Sequence, residues 1–444
     1  MLGFVYISAV LSDVHYFDHK PMKLSRSFPS FFFLYLCLFS TQLFSQTTTA
    51  ITANDLRLRM NILASDSLAG RRSGEPGAEK AARYIASEFK RIGLKPLDSA
   101  RKYFQAYDFS EHMMDSTKKE RTKAVNVIGF LPGNDKKLKD EVVIIGAHYD
   151  HLGMGGMNAL DTVKAIHYGA DDNASGTTGV LELAEYYAKH QKELKRSLLF
   201  ISFSGEEEGL FGSIYYAKNP YIPLEKTQAM INMDMIGRLK DSILIVEGIG
   251  TSPYWKTLMD SLKHDNFVMR YKPDGVGPSD HSSFYRKNIP VLFYFTGLHK
   301  DYHKATDTKD KINYIGEVEV LDLVRKSIDA IQSKPDRIAF TLVPEDTTKK
   351  VGTFKVYVGG VPDYGYDGEG LKISDITAGS PADKAGLKAE DIVIKFADID
   401  IKNIYDYTGA LGKFKPDDIV DFRVKRGKNV LTIPVKLGKR GEAH

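Results

Sequence analysis

The chain has 444 residues, 43% hydrophobic and 27% charged, with a formal net charge of +4 and one cysteine, Cys37. That length accommodates two or more domains, and a nearly balanced charge without a basic stripe of interleaved aromatics argues against a nucleic-acid partner. Cys37 lies in a segment expected to be removed, so disulfides and thiolate ligands are excluded from the mature chain. Any metal site must then be built from His, Asp and Glu.

Residues 1–45 read as a leader. Met22-Lys-Leu-Ser-Arg26 is a basic start, Phe31 to Phe39 a short apolar stretch, and Thr41 to Gln46 the region of cleavage. This is a secretory signal pattern with Met22 as the expected true start. It predicts a secreted or periplasmic protein with no stable membrane insertion once the leader is gone.

Residues 46–338 alternate helix and strand periodicities. Leu56, Met60 and Leu63 share a helical face, and Ala78 to Ile92 is an amphipathic helix closed by Gly93 and Pro96. Strands are predicted at 124–131, 142–145, 197–203, 229–233, 243–246 and 290–295. Helices are predicted at 178–189, 213–218, 253–264 and 317–333. Such alternation predicts an α/β fold with a mixed, mostly parallel sheet and helices on both faces. Residues 339–350 are polar and charged, a linker. Residues 351–440 are rich in short strands and form a small β-rich domain.

Polar residues recur where the apolar runs stop. His148 and Asp150 follow 142–145, and Asp171-Asp172 precede the helix from 178. Glu206-Glu207 follow 197–203, Asp234 follows 229–233, and His303 follows 290–295. Taken singly, each has an ordinary explanation: a core histidine, a helix-capping loop, a solvated acidic run. Together they would meet in one crevice, because an α/β sheet gathers its strand ends. Three carboxylates and two imidazoles suffice for two divalent ions sharing one carboxylate, and nitrogen and oxygen donors without sulfur suit catalytic zinc. A divalent ion acidifies water, which then needs a nearby base, and a Glu-Glu pair can divide those tasks.

Gly-Ala-His148-Tyr-Asp150-His, Gly-Ala-Asp-Asp172-Asn-Ala-Ser-Gly and Gly-Glu206-Glu207-Glu208-Gly-Leu-Phe-Gly-Ser resemble the co-catalytic zinc aminopeptidase family. That family includes secreted bacterial leucyl aminopeptidases, glutamate carboxypeptidases and glutaminyl cyclases. Leu63 to Arg71 and Pro278-Ser-Asp280-His281-Ser-Ser-Phe284 are similar to it as well. The resemblance spans roughly residues 50–335 and implies two zinc ions acting on peptide substrates. It implies that His148 and Asp234 hold one ion, Glu207 and His303 the other, and that Asp172 bridges them. Glu206 is then the general base and Asp150 orients His148. The triple glutamate leaves a second register, Glu207-Glu208, open; Gly209-Leu210 selects Glu206-Glu207. A tyrosine found in some members shortly before Ser-Asp-His has no counterpart, since Tyr271 stands further back. Asp280, His281 and Phe284 are expected either to line a pocket or to serve the structure.

Ser380-Pro-Ala-Asp-Lys-Ala-Gly-Leu387, followed by Asp391-Ile-Val393, resembles the bacterial PDZ domain over residues 351–437. The resemblance implies capture of a peptide or protein C-terminus by strand addition. The carboxylate loop is expected near Gly368 to Leu371, with Leu371 and Ile373 on the binding strand, unless the domain only packs on the peptidase. The leading expectation is a secreted zinc-dependent aminopeptidase. A carboxypeptidase or glutaminyl cyclase of the same fold, and a non-catalytic PDZ-bearing binding protein, are the alternatives.

Overall fold

The computed structural model describes residues 50–109, 122–156, 158–262, 265–344, 356–363, 366, 368–402 and 404–439. The leader read over 1–45 lies outside them. Among the described residues no helix is long and apolar enough to cross a membrane.

Eight strands form one sheet: β1 (Phe104–Phe109), β2 (Thr122–Leu131), β3 (Val142–His148), β4 (Ser197–Phe203), β5 (Thr227–Met233), β6 (Ile243–Glu247), β7 (Val268–Lys272) and β8 (Val291–Phe295). Their order is β1-β2-β4-β3-β5-β8-β6-β7. β4, β3, β5 and β8 run parallel, and β7 is parallel to β6. The β1–β2, β2–β4 and β6–β8 pairs are antiparallel, so the sheet is mixed.

The central strands are buried on both faces, which explains their unbroken apolar runs. Val143 and Ile145 of β3 and Leu198 and Phe200 of β4 pack into one core. That core takes α1 (Ala53–Leu63), α2 (Pro76–Ile92), α3 (Gly176–Lys189), and residues of the later α5 (Pro253–Ser261) and α7 (Tyr314–Ser333). Val142 and Ile144, with Leu199, Ile201 and Phe203, face the opposite core. There they meet Tyr216 of α4 (Phe211–Lys218) and Phe284 of α6 (His281–Tyr285). Phe284 is thus a core residue, its ring against Phe203 and Tyr216.

β1 and β7 have no strong sequence signal. Buried Gln105 breaks the apolar period of β1, and the edge strand β7 has no fully buried residue. The helix predicted to His264 stops at Ser261.

The second domain has its own core, built around Val393, Phe396, Phe422 and Val424. It contains β9 (Val356–Tyr357), β10 (Gly360–Pro362), β11 (Leu371–Ile376), α8 (Pro381–Ala385), β12 (Ile392–Phe396), β13 (Ile399–Asp400), α9 (Ile404–Leu411), β14 (Ile419–Arg426), β15 (Asn429–Lys436) and β16 (Gly438–Lys439). The main sheet runs β10-β11-β12-β14-β15. Ser380 caps α8 and Gly386 closes it in the left-handed region. The binding strand expected at Leu371 and Ile373 is not an edge. Leu371 pairs with Val393 on β12 while Ile373 pairs with Pro362 on β10, so β11 has a neighbour on each side. A strand already flanked on both sides has no ladder to offer, and the edge beside it is β10.

Candidate metal centre

Register places the site. His148 pairs with Phe203, and Gly146 with Asn232, so the carboxyl ends of β3, β4 and β5 lie at one level. His148 ends β3, Glu206 comes three residues after β4, and Asp234 comes one after β5. The edge where ligands bind in such sheets therefore receives all three.

Asp172 arrives on the turn between β3 and α3, and its neighbours stitch that turn to the strand ends. Asn173 donates to Met233 O (3.0 Å) and accepts from Met235 N (3.2 Å). Ser175 accepts from Ile236 N (3.0 Å), and Thr177 donates to His148 O (2.7 Å). A Cβ on Gly176 would crowd the Asn173 side chain and Met233 O, so the Asn-Ala-Ser-Gly stretch has little freedom. Beneath it the buried Arg71 donates to Leu63 O, Tyr149 O, Tyr168 O and Gly169 O at 2.6–2.9 Å. Burial pushes its guanidinium down to about 10 against the pull of Asp150 and Asp172.

Two clusters share Asp172. His148 Nε2 lies 3.4 Å from Asp172 Oδ1 and 3.3 Å from Asp234 Oδ2. His303 Nε2 lies 3.2 Å from Asp172 Oδ2 and 3.1 Å from Glu207 Oε2. Ligands about 2.1 Å from a tetrahedral ion sit about 3.4 Å apart, close to these spacings. Both imidazoles aim Nε2 inward. His303 Nδ1 donates to Asn158 O (2.8 Å), while His148 Nδ1 faces Asp150 O (3.3 Å) and Asp150 Oδ1 (3.7 Å). Asp150 thus approaches His148 more closely through its carbonyl. Its carboxylate accepts from Ser73 Oγ (3.1 Å) and Glu206 N (3.4 Å). Asp234 Oδ2 accepts from Ser279 Oγ (2.8 Å), while Oδ1 is buried with no protein partner and so is available to a cation. His148, Asp172 and Asp234 form one group of donors close enough to hold a metal ion and His151, Asp172 and Glu207 another, and such nitrogen-and-oxygen sets are compatible with zinc.

The three glutamates diverge. Glu206 Oε2 lies 3.9 Å from His148 Nε2. Burial, reinforced by Glu207, Asp234 and Asp280, pushes its carboxyl well above the usual range against His148. Burial also acts on Glu207, but His303 and the hydrogen bonds from His151 and His303 outweigh it and hold that carboxyl low. Glu208 turns away, 3.9 Å from Arg72, and burial with Asp150 and Glu207 raises it to about 9. Asp280 is fully buried beside the first cluster, and burial pushes it up to about 7. His281 stacks on Phe293 with ring centroids 4.5 Å apart, and both its ring nitrogens are buried without a hydrogen-bond partner.

Sequence reasoning left several supports unassigned. Asp307 Oδ2 accepts from the backbone N–H of Asp171 (2.9 Å) and Asp172 (3.1 Å), and Oδ1 accepts from Arg238 (2.8 Å). His299 Nε2 lies 3.1 Å from Asp171 Oδ2. His151 reaches Glu207 from the strand end itself. Only the short spacing of His151 from His148 hinted at it. Lys304, next to His303, pairs with Asp375 of β11.

The fold and site together define the class: a mixed, aminopeptidase-like α/β sheet with an acid-and-imidazole cluster at its carboxyl edge. Solved structures share the fold. They include a zinc aminopeptidase from Bacillus subtilis (17% identity, TM-score 0.50, covering 65% of this chain and 98% of that one). A glutaminyl cyclase from Bacteroides thetaiotaomicron matches similarly (18%, TM-score 0.50, 63% and 98%). Residues 126–328 match Peptidase family M28 and residues 339–437 match the PDZ domain. Among curated relatives, a probable leucine aminopeptidase of Trichophyton verrucosum is 30% identical over 207 residues, 43% of this chain and 52% of that protein. Leupeptin-inactivating enzyme 1 of Streptomyces exfoliatus is 29% identical over 187 residues, 42% and 38%. The chain spans about half the length of the first of these relatives and less of the second.

Proposed function

We propose that this protein is an exported di-zinc aminopeptidase. The observation that carries the reading is the division of Asp172, whose two oxygens face two separate imidazole–carboxylate clusters. In this reading His148 and Asp234 hold one ion, Glu207 and His303 the other, and Asp172 bridges. Zinc bound there would acidify a water and polarise the scissile carbonyl.

The chain's own residues do the rest. Glu206 is the general base: its Oε2 stands 3.9 Å from His148 Nε2, beside the first cluster. Its raised proton affinity suits a group that accepts a proton from water and passes it to the leaving amine. Asp150 and Asn158 fix the far nitrogens of His148 and His303, so Nε2 alone faces inward. The choice of a free amine over a free carboxylate rests on charge. Arg71 is engaged with four carbonyls and Arg72 lies against Glu208, so neither of these arginines is held ready for a substrate carboxylate. The leader pattern supports export, and β10 is the edge to which a peptide C-terminus would add.

The test is a panel of free-amine, N-blocked and C-blocked peptides, with an N-terminal glutamine substrate included, assayed with and without chelator. Chelator-sensitive cleavage confined to substrates with a free N-terminus is expected. Cleavage from the C-terminus, or cyclisation without hydrolysis, would overturn the reading.

A further inference from the structure

His151 has no task in the reading above, yet it touches the second cluster. It is fully buried, and its Nδ1 lies 2.7 Å from Glu207 Oε1. Its ring meets the His303 ring edge-on, with centroids 5.8 Å apart. Its position is fixed from behind: the His151 N–H donates to Arg71 O (3.3 Å), and a Cβ on Gly169 would overlap its ring.

Placement separates two roles. His303 turns Nε2 equally toward Glu207 Oε2 (3.1 Å) and Asp172 Oδ2 (3.2 Å), as a donor sharing an ion with both would, and its Nδ1 is tied to Asn158 O. His151 Nδ1 is one-sided: it contacts Glu207 Oε1 at 2.7 Å and stands 3.8 Å from Asp172 Oδ2. Glu207 is therefore divided, with Oε1 held by His151 and Oε2 turned toward His303. With the proton on Nδ1, the bare nitrogen is Nε2, the ring atom buried without a partner.

We propose that His151 is a positioning residue: its Nδ1–H holds Oε1 of Glu207, so that the carboxylate offers Oε2 alone to the second metal ion. His151 is not itself a ligand. This inference rests on the two-ion reading. A histidine that merely fills the core would leave metal affinity untouched, and a direct ligand could not be replaced by a neutral donor.

The experiment reads zinc affinity without turnover. The purified mature chain is stripped of metal and titrated with zinc against a chromophoric chelator, with circular dichroism and melting of the metal-free proteins recorded alongside. His151→Leu removes the donor, His151→Asn sets an amide nitrogen near the place of Nδ1, and His151→Gln sets one near that of Nε2. His151→Leu is expected to weaken one of two binding steps by about 10–100-fold and leave the other unchanged. His151→Asn should bring that step back to within several-fold of the parent, and His151→Gln should not. If His151→Leu does not fold, the Asn–Gln contrast carries the test alone. Equal weakening of both steps, parental affinity in His151→Leu, or outright loss of one ion in His151→Asn overturns the inference. A parent chain that binds fewer than two ions overturns the two-ion reading itself, and this inference with it.

Discussion

Glu206→Gln isolates the proposed base from the rest of the cluster. The substitution keeps shape and volume and removes one ionisable oxygen 3.9 Å from His148 Nε2. No hydrogen bond to a proposed ligand depends on that oxygen, and the main-chain N–H of residue 206 still reaches Asp150. Fold and metal content should therefore persist. Loss of a general base typically slows catalysis by about 10²–10⁴-fold, equivalent to about 3–5 kcal/mol in the barrier. KM should change little, because the base is needed in the transition state rather than for binding. The assay is leucine p-nitroanilide hydrolysis under saturating zinc, with elemental analysis of the same preparation. Glu208→Gln is the paired control. Glu208 lies against Arg72 and Asp150, so its variant should stay within about threefold of the parent. A Glu206→Gln protein with two zinc ions and parental kcat would refute the mechanism. The opposite pattern, with Glu208 essential and Glu206 dispensable, would move the pair by one residue.

Chelation should abolish hydrolysis, zinc should restore it, and the active mature chain should contain close to two ions; a metal-free active enzyme would sink the site. Arg59 is buried among Glu88, Glu182 and Glu185, so Arg59→Ala should cost about 3–5 kcal/mol in urea unfolding by stranding Glu182, and a loss below about 1 kcal/mol would contradict the pairing. Gly169 has φ +53°, and a Cβ there would meet the Asp172 carbonyl and the His151 ring. Gly169→Ala should lower zinc content as well as stability, and unaltered zinc content would show that the turn can yield. Burial pushes His281 down to about 3. The unfolded chain then binds a proton that the folded chain refuses between about pH 3 and 6.5, so this residue's contribution falls as pH drops below 6.5. His281→Phe should flatten the stability profile of the metal-free chain there by up to about 1.4 kcal/mol per pH unit, and parallel profiles would contradict the assignment.

The central strands were legible because both their faces are buried. β3, β4 and β5 each show an apolar run that the sequence alone betrays, and the polar residues closing those runs stand out against it. The outer strands were not legible, since an edge needs no continuous burial. The PDZ domain shows the same limit. Its Ser-Pro-Ala…Gly-Leu signature marks helix and turn chemistry that any sequence displays. Which of two adjacent strands is the edge depends on pairing, and the pairing puts β10 outside β11.

By itself the sequence determined the alternation of strand and helix, the donor types available and their order along the chain. Those properties are local, fixed by side-chain chemistry and short-range periodicity. Only the tertiary structure decided which atoms face one another. It split Asp172 between two imidazoles, sent Glu206, Glu207 and Glu208 to three different neighbours, and brought His151 against Glu207 and Asp307 against the Asp172 turn. Consecutive glutamates are equivalent in a string of residues. They become distinct only when the chain leaving β4 turns, because each side chain then points into a different local field.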